Sequence, residues 1–199
     1  MRLRHFALFA LAVAPLTASH AQARQRAAGI VNVIIETDRG TIHAALDSAH
    51  APHTVANFLK YVDGGFYNDG RFHRSVTPAN QPRDSVRIEV IQGGANPARE
   101  TQGFPPIELE RTSQTGLRHL DGSLSMARGG PNTATSDFFI CIGAQPSLDF
   151  GGHRNLDGQG FAAFGHVTSG VEIVRAIQKS AVEEQRLTPP VMIKRIARE

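Results

Sequence analysis

The sequence predicts a mainly β domain, an antiparallel structure that closes or nearly closes on itself, with two helices. Three observations predict it: about eight short segments alternate or are β-branched, turn residues separate them, and helices do not interleave them as a parallel sheet requires. Residues 31–37 form the first segment, Asp38-Arg39-Gly40 turns, and residues 41–46 run back as a hairpin. From Pro52 the period changes. Val55, Phe58, Leu59 and Val62 recur at three- and four-residue spacing until Asp63-Gly64-Gly65 ends the run, which describes an amphipathic helix. Further strands are expected at residues 71–76, 86–92, 124–127, 138–142, 161–167 and 191–197. A second helix fits residues 171–179, with Val171, Val174 and Ile177 as its buried stripe. Residues 77–85 and 95–122 carry Pro, Asn and Gly and are expected to be long loops, where the binding residues of a β scaffold concentrate.

With 41% hydrophobic and 20% charged residues in 199, the composition suits one globular domain and excludes disordered, collagen-like and disulfide-stapled chains. Arg2 and Arg4, an apolar run over residues 6–16 and then Ala21-Gln22-Ala23 form the pattern of a secretory signal peptide cleaved after Ala23. The run is too short to span a bilayer. Residues 24–29 read as a flexible lead and residues 30–199 as a single domain. Loss of Arg2 and Arg4 from 21 basic residues, set against 18 acidic ones, leaves the mature chain a net charge of +1. No basic stripe interleaves with aromatics, so nucleic acid is not an expected partner, and after cleavage neither is a membrane.

Cys141 has no partner for an internal disulfide and lies in an apolar run, so it reads as a buried structural thiol. His50 and His53 lack a further ligand at metal-binding spacing and read as solvated residues at the helix entrance. No metal or cofactor is expected. The G-x-S-x-G, H-E-x-x-H and G-x-x-x-x-G-K patterns do not occur, which takes away the usual support for hydrolase, zinc protease and nucleotide-binding readings.

The informative segments are Phe72-His73-Arg74, Ile91-Gln92-Gly93-Gly94, Ser125-Met126-Ala127 and the run from Gly130-Pro131-Asn132-Thr133 to Phe138-Phe139-Ile140. In this order they resemble the F-H-R, Q-G-G, S-M-A, G-P-N-T and F-F-I segments of the cyclophilins, a family of peptidyl-prolyl cis/trans isomerases. Thr54-Val55-Ala56-Asn57-Phe58, Phe66-Tyr67, residues 161–167 and residues 170–177 continue the resemblance, which covers about residues 30–198. It looks closest to the bacterial periplasmic branch, in agreement with the signal peptide. The fold implied is a cyclophilin-like closed eight-stranded antiparallel barrel capped by two α-helices, with peptide bound in a groove on its outer surface. The partners implied are unfolded or flexible X-Pro polypeptides, bound by a monomer without a cofactor.

In the twisted state of an X-Pro bond the prolyl nitrogen recovers a lone pair, so a fixed cationic donor beside it stabilises the transition state over the planar ground state. Arg74 is the catalytic candidate, and the resemblance gives the F-H-R arginine the same role. The resemblance further implies that Phe139, Leu148 and Phe161 receive the proline ring. It implies that Gln92 bonds to the substrate backbone and that Ala127 and Arg128 lie along the groove, the latter through its main chain.

Departures from the family pattern matter as well. Glu89 stands where an aromatic pocket wall is usual, Val90 where Met is common, Ser147 where Trp or Phe is frequent, and Asp137 where Gln precedes F-F. Phe161 replaces a His of eukaryotic members, and residues 77–87 lengthen the gap between F-H-R and Q-G-G. If Glu89 faces the groove it can pair with Arg74, and it is therefore included among the substrate-binding candidates. Glu89 and Ser147 also sustain an alternative, a proline-peptide binding module or chaperone with little catalysis.

Overall fold

The computed structural model describes residues 29–82 and 84–199. The expected signal peptide, and the lead up to residue 28, lie outside the described residues. Among the described residues nine strands form one sheet: β1 (Ile30–Thr37), β2 (Gly40–Asp47), β3 (Gly70–Val76), β4 (Val90–Gly94), β5 (Ser123–Met126), β6 (Phe138–Cys141), β7 (Ala162–Ser169), β8 (Val182–Glu183) and β9 (Arg186–Arg198). All their pairings are antiparallel. Eight of them close a barrel in the order β1-β2-β7-β5-β6-β4-β3-β9, since β9 also pairs with β1, while the two-residue β8 hangs on β9 outside the ring. Closure removes the open edges that a sheet of this length would otherwise expose.

The barrel interior is a packed core, not a pore. Val33, Ile35, Ile42, Leu46, Phe72, Ile91, Phe138 and Phe164 belong to one buried cluster. Helix α1 (Pro52–Asp63) adds Val55, Phe58, Leu59 and Val62 to it, the stripe the sequence spacing indicates, and helix α3 (Val171–Gln178) adds Val174 and Ile177, whereas Val171, expected in the same stripe, is only half-buried at the first position of the helix. A one-turn helix, α2 (Thr112–Thr115), lies between them in the chain. Phe58 alone packs against the rings of Tyr67, Phe138 and Phe164, with centroids 5.1, 5.4 and 5.2 Å away. Each fully buried side chain of this kind contributes roughly 1.5–3 kcal/mol. Pro52 opens α1, and the N–H groups of His53 and Thr54 donate to the Glu110 carboxylate at 3.0 and 2.8 Å, which ties the long loop before β5 to the helix start.

Two strands start four or more residues away from the sequence expectation, and the other expected strand boundaries differ from it by at most two residues. Strand β4 begins at Val90 rather than residue 86. The reason is Gln81: its amide donates to the Ile88 carbonyl at 2.7 Å and its oxygen accepts from the Ile88 N–H at 3.1 Å, so a side chain takes the place of a neighbouring strand there. Strand β9 starts at Arg186 instead of residue 191 and contains Pro189 and Pro190. Its register against β3 jumps from Val191 to Arg186, so both prolines, which cannot donate to a ladder, fall in the gap.

Candidate active site

The site begins with a miscount between two strands. Phe72 pairs with Gly93 and Arg74 with Gln92, so His73 is one residue too many in β3 and forms a bulge against β4, at the point where the register against β9 jumps from Val191 to Arg186. Were His73 an ordinary rung of the ladder, strand alternation would send Phe72 and Arg74 to the same face. With the bulge, Phe72 enters the core while Arg74 stands on the outer wall in line with Gln92 and Val90. Gly93 makes room for this, because a Cβ there would lie 2.9 Å from the Phe72 ring.

On that outer wall a second, smaller apolar cluster forms from Val76, Ile88, Val90, Phe139, Cys141 and Leu148, with Ala127 and Phe161 packed against it. All of these but Val76 and Cys141, which lie beneath, line the floor of an open groove of about 820 Å³. Phe161 meets Phe139 edge to face, with centroids 5.4 Å apart at 89°. Behind Phe139 lies His119, its ring stacked at 5.9 Å. The His119 side chain is 0% exposed; Nδ1 sits 2.8 Å from Asp149 Oδ1 and Nε2 2.9 Å from Ser125 Oγ. Asp149 follows Leu148 directly, so this polar pair fixes two members of the floor together. Burial raises the Asp149 pKa, but hydrogen bonds from the ring and backbone of His119 and from Arg118 outweigh it and hold the carboxyl below the usual range.

Arg74 reaches the groove in a fixed orientation. Its Nε and Nη2 both donate to Gln185 Oε1, at 2.9 and 2.6 Å, and Nη1 donates to Gln92 Oε1 at 3.0 Å. Gln185 lies in the turn between β8 and β9, where its backbone carbonyl accepts from the Ser75 N–H at 2.8 Å and its amide donates to the Asn80 carbonyl at 3.1 Å. Gln92 passes the chain on, its Nε2 donating to Asp137 Oδ2 at 3.1 Å. Gly94 lets Asp137 approach, since a Cβ there would collide with the carboxylate. Burial, and then the positive charge of Arg154, pull Arg74 below the ordinary arginine value, with Asp84 opposing; a guanidinium nevertheless stays charged at neutral pH.

The structure brings Arg74, Gln92, Ala127, Arg128, Phe139, Leu148 and Phe161 to one groove. It does not bring Glu89 there, which corrects the expectation that this carboxylate lines the site. Alternation along β4 and the two residues before it places Ile88, Val90 and Gln92 outward and Glu89 on the other side, where it accepts from Gln178 Nε2 at the end of α3 at 3.1 Å. Ile88 and Val90 thus supply the wall, a result available from counting back in twos from Gln92. The Arg128 side chain is 1% exposed and turned to the loop before β7, donating to Asp157 at 2.8 and 2.9 Å and to the Gly160 carbonyl at 2.8 and 2.6 Å. Its main chain is what borders the groove. Cys141, in the floor cluster, has its thiol pKa pushed up by burial, as a structural cysteine should.

The model of the family described as cyclophilin type peptidyl-prolyl cis-trans isomerase/CLD matches residues 32–198. Peptidyl-prolyl cis-trans isomerase A of Dickeya dadantii is 37% identical over 155 residues, 76% of this chain and 73% of that protein. Peptidyl-prolyl cis-trans isomerase B of Escherichia coli is 33% identical over 147 residues, 73% of this chain and 83% of that protein. A crystal structure of a Cryptosporidium parvum cyclophilin type isomerase superposes with a TM-score of 0.68 at 24% identity, covering 85% of this chain and 98% of that one. The same protein in the presence of the dipeptide Ala-Pro gives 0.67. These two likenesses show the fold. The sequence relatives include bacterial and plant proteins and so show the family rather than one branch of it. Because the family match runs from β1 to β9 and takes in the two segments whose miscount builds the groove, this chain belongs to the cyclophilin-type peptidyl-prolyl cis-trans isomerases.

Proposed function

We propose that the protein accelerates rotation about X-Pro bonds in unfolded or flexible polypeptides, with Arg74 as the catalytic residue. Rotation breaks amide conjugation against a barrier of about 18–20 kcal/mol and makes or breaks no covalent bond. A millisecond turnover needs an acceleration of roughly ten-thousandfold or more, about 5–7 kcal/mol of preferential transition-state binding. Oriented contacts of the kind present here supply energies of that order.

The single observation that carries the proposal is the guanidinium of Arg74 held by two side-chain amides on the wall of a groove floored by Phe139, Leu148 and Phe161. The floor grips the proline ring, and Arg74 donates toward the pyramidal nitrogen once its lone pair is released. Gln92, Ala127 and the main chain of Arg128 hold the extended backbone on either side. NMR exchange on an Ala-Pro peptide tests this. Catalysis by the wild type that is lost in Arg74→Ala supports the enzyme; peptide binding without catalysis supports the binding-module reading instead.

The place of action is part of the proposal. The basic start, apolar run and Ala-Gln-Ala of residues 1–23 support export to the periplasm, where the substrates are the X-Pro segments of other exported chains. There the protein acts as a monomer on polypeptide, with neither nucleic acid nor a membrane as partner. Fractionation of cells expressing the full chain, with N-terminal sequencing of the product, tests the compartment and the cleavage after Ala23.

A further inference from the structure

Two loops outside the strand framework, residues 77–89 and residues 149–160, meet at the groove through Arg154. Its Nη1 donates to Asp84 Oδ2 at 2.9 Å and to the Val86 carbonyl at 2.7 Å. Its backbone N–H donates to the Ser147 carbonyl at 3.2 Å, which sets it beside the position where a large aromatic is missing. Arg154 and the next residue, Asn155, both line the groove that contains Arg74. Among the described residues the Nε and Nη2 groups of Arg154 have no hydrogen-bond partner. Asn155 Nδ2 is closed to solvent and also without a partner. An unpaired buried donor is a standing cost that a ligand oxygen relieves on binding, once the loop shifts enough to admit it.

We propose that Arg154 and Asn155 form a carboxylate-accepting subsite beside the proline pocket, which selects X-Pro segments with Asp or Glu adjacent to the X-Pro bond. This rests on the isomerase reading and names a substrate class for it. A carboxylate fits better than a neutral carbonyl for two reasons. It offers two oxygens to a cluster of unused donors, and charged hydrogen bonds to guanidinium are about twice as strong as neutral ones. The local charge also favours it, because the guanidinium groups of Arg74 and Arg154 both line the groove while Asp84, the half-exposed carboxylate paired with Arg154, does not. Asp84 stays half exposed to solvent, so its hold on Arg154 is weaker than that of a fully buried counterion. The other carboxylate near Arg74, Asp137, is already held by Gln92.

The test uses peptides Ala-Xaa-Pro-Yaa carrying Glu, Gln or Lys at Xaa or at Yaa, with kcat/KM read by NMR exchange. The wild type should favour Glu over Gln by about tenfold at one of the two positions, the scale of one charge-assisted hydrogen bond. Arg154→Gln should reduce that ratio to about twofold or less. Because Arg154→Gln also unties the two loops, Asn155→Asp provides a second variant of the same shape, and it should turn the preference toward Lys. Equal catalysis of Glu and Gln peptides by the wild type overturns the subsite and leaves the isomerase reading standing. If no peptide is turned over, the isomerase reading fails, and chemical-shift titration of the same peptides decides the subsite: a tenfold affinity ratio, about the same scale, supports it and equal affinities overturn it.

Discussion

Gln185 holds Arg74 by a single oxygen, which accepts from Nε at 2.9 Å and from Nη2 at 2.6 Å. Two donors on one acceptor fix the plane of the guanidinium as well as its position. Gln185 is itself anchored to β3 and to Asn80, so its role is to position Arg74 rather than to touch substrate. Gln185→Leu should therefore lower kcat by about tenfold, with KM within twofold of wild type. Gln185→Glu keeps the acceptor and should restore most of kcat. A merely structural role would change thermal stability in both variants and would not separate kcat from KM.

Replacement of Arg74 itself should cost more. Loss of a preorganised donor to a developing lone pair or charge typically costs on the order of a hundredfold, and Arg74→Lys should lose nearly as much as Arg74→Ala because an ammonium cannot reproduce the three bonds to Gln185 and Gln92. NMR exchange and proline-limited refolding of an unfolded test protein should report the same loss.

Glu89 gives a prediction of the opposite kind. Its carboxylate bonds Gln178 on the far side of β4 from the groove, so Glu89→Gln should leave kcat/KM within about twofold of wild type. A tenfold change would mean that the carboxylate reaches the substrate.

The buried pair behind Phe139 should show in stability. Asp149→Ala removes the acceptor for the ring and backbone of His119 and should cost about 1–3 kcal/mol per orphaned donor at pH 7, measured by urea unfolding. The pH dependence has a definite sign. The folded Asp149 carboxyl lies below its unfolded value, so the unfolded chain takes up the proton first. Its contribution is complete above the ordinary carboxylate value of about 4 and fades as the pH falls through the lower folded value. Between pH 5 and pH 2.5, a window chosen around that ordinary value of about 4, the urea midpoint of wild type should fall more steeply than that of Asp149→Asn.

The barrel was legible because its strands alternate and its helices keep a clean three-four spacing, as Val33 and Ile35 or Val55, Phe58 and Val62 do. Seven of the eight candidate site residues meet in the groove because they sit in segments that resemble one family throughout. The exception, Glu89, was placed by aligned position when alternation from Gln92 points it away. Gln185, His119 and Arg154 were not legible for a different reason. Each acts on the site from a loop or turn remote in sequence, through a single hydrogen-bonded side chain that leaves no period in the chain. The Gln81 clamp on Ile88 is of the same kind, and it is why the start of β4 was placed too early.

The extra residue at His73 has a consequence for how this molecule can change over time. Absorbing it as an ordinary rung would rotate the guanidinium into the greasy interior or push Phe72 out to water, so substitutions that flatten the bulge should abolish both folding and turnover, whereas loss of the His73 codon should leave Phe72 inside and Arg74 outside. Lengthening the segment just downstream carries no such penalty, since those residues leave and rejoin the wall without altering its parity. The barrel can therefore acquire new rims while the outward position of Arg74 is kept by arithmetic.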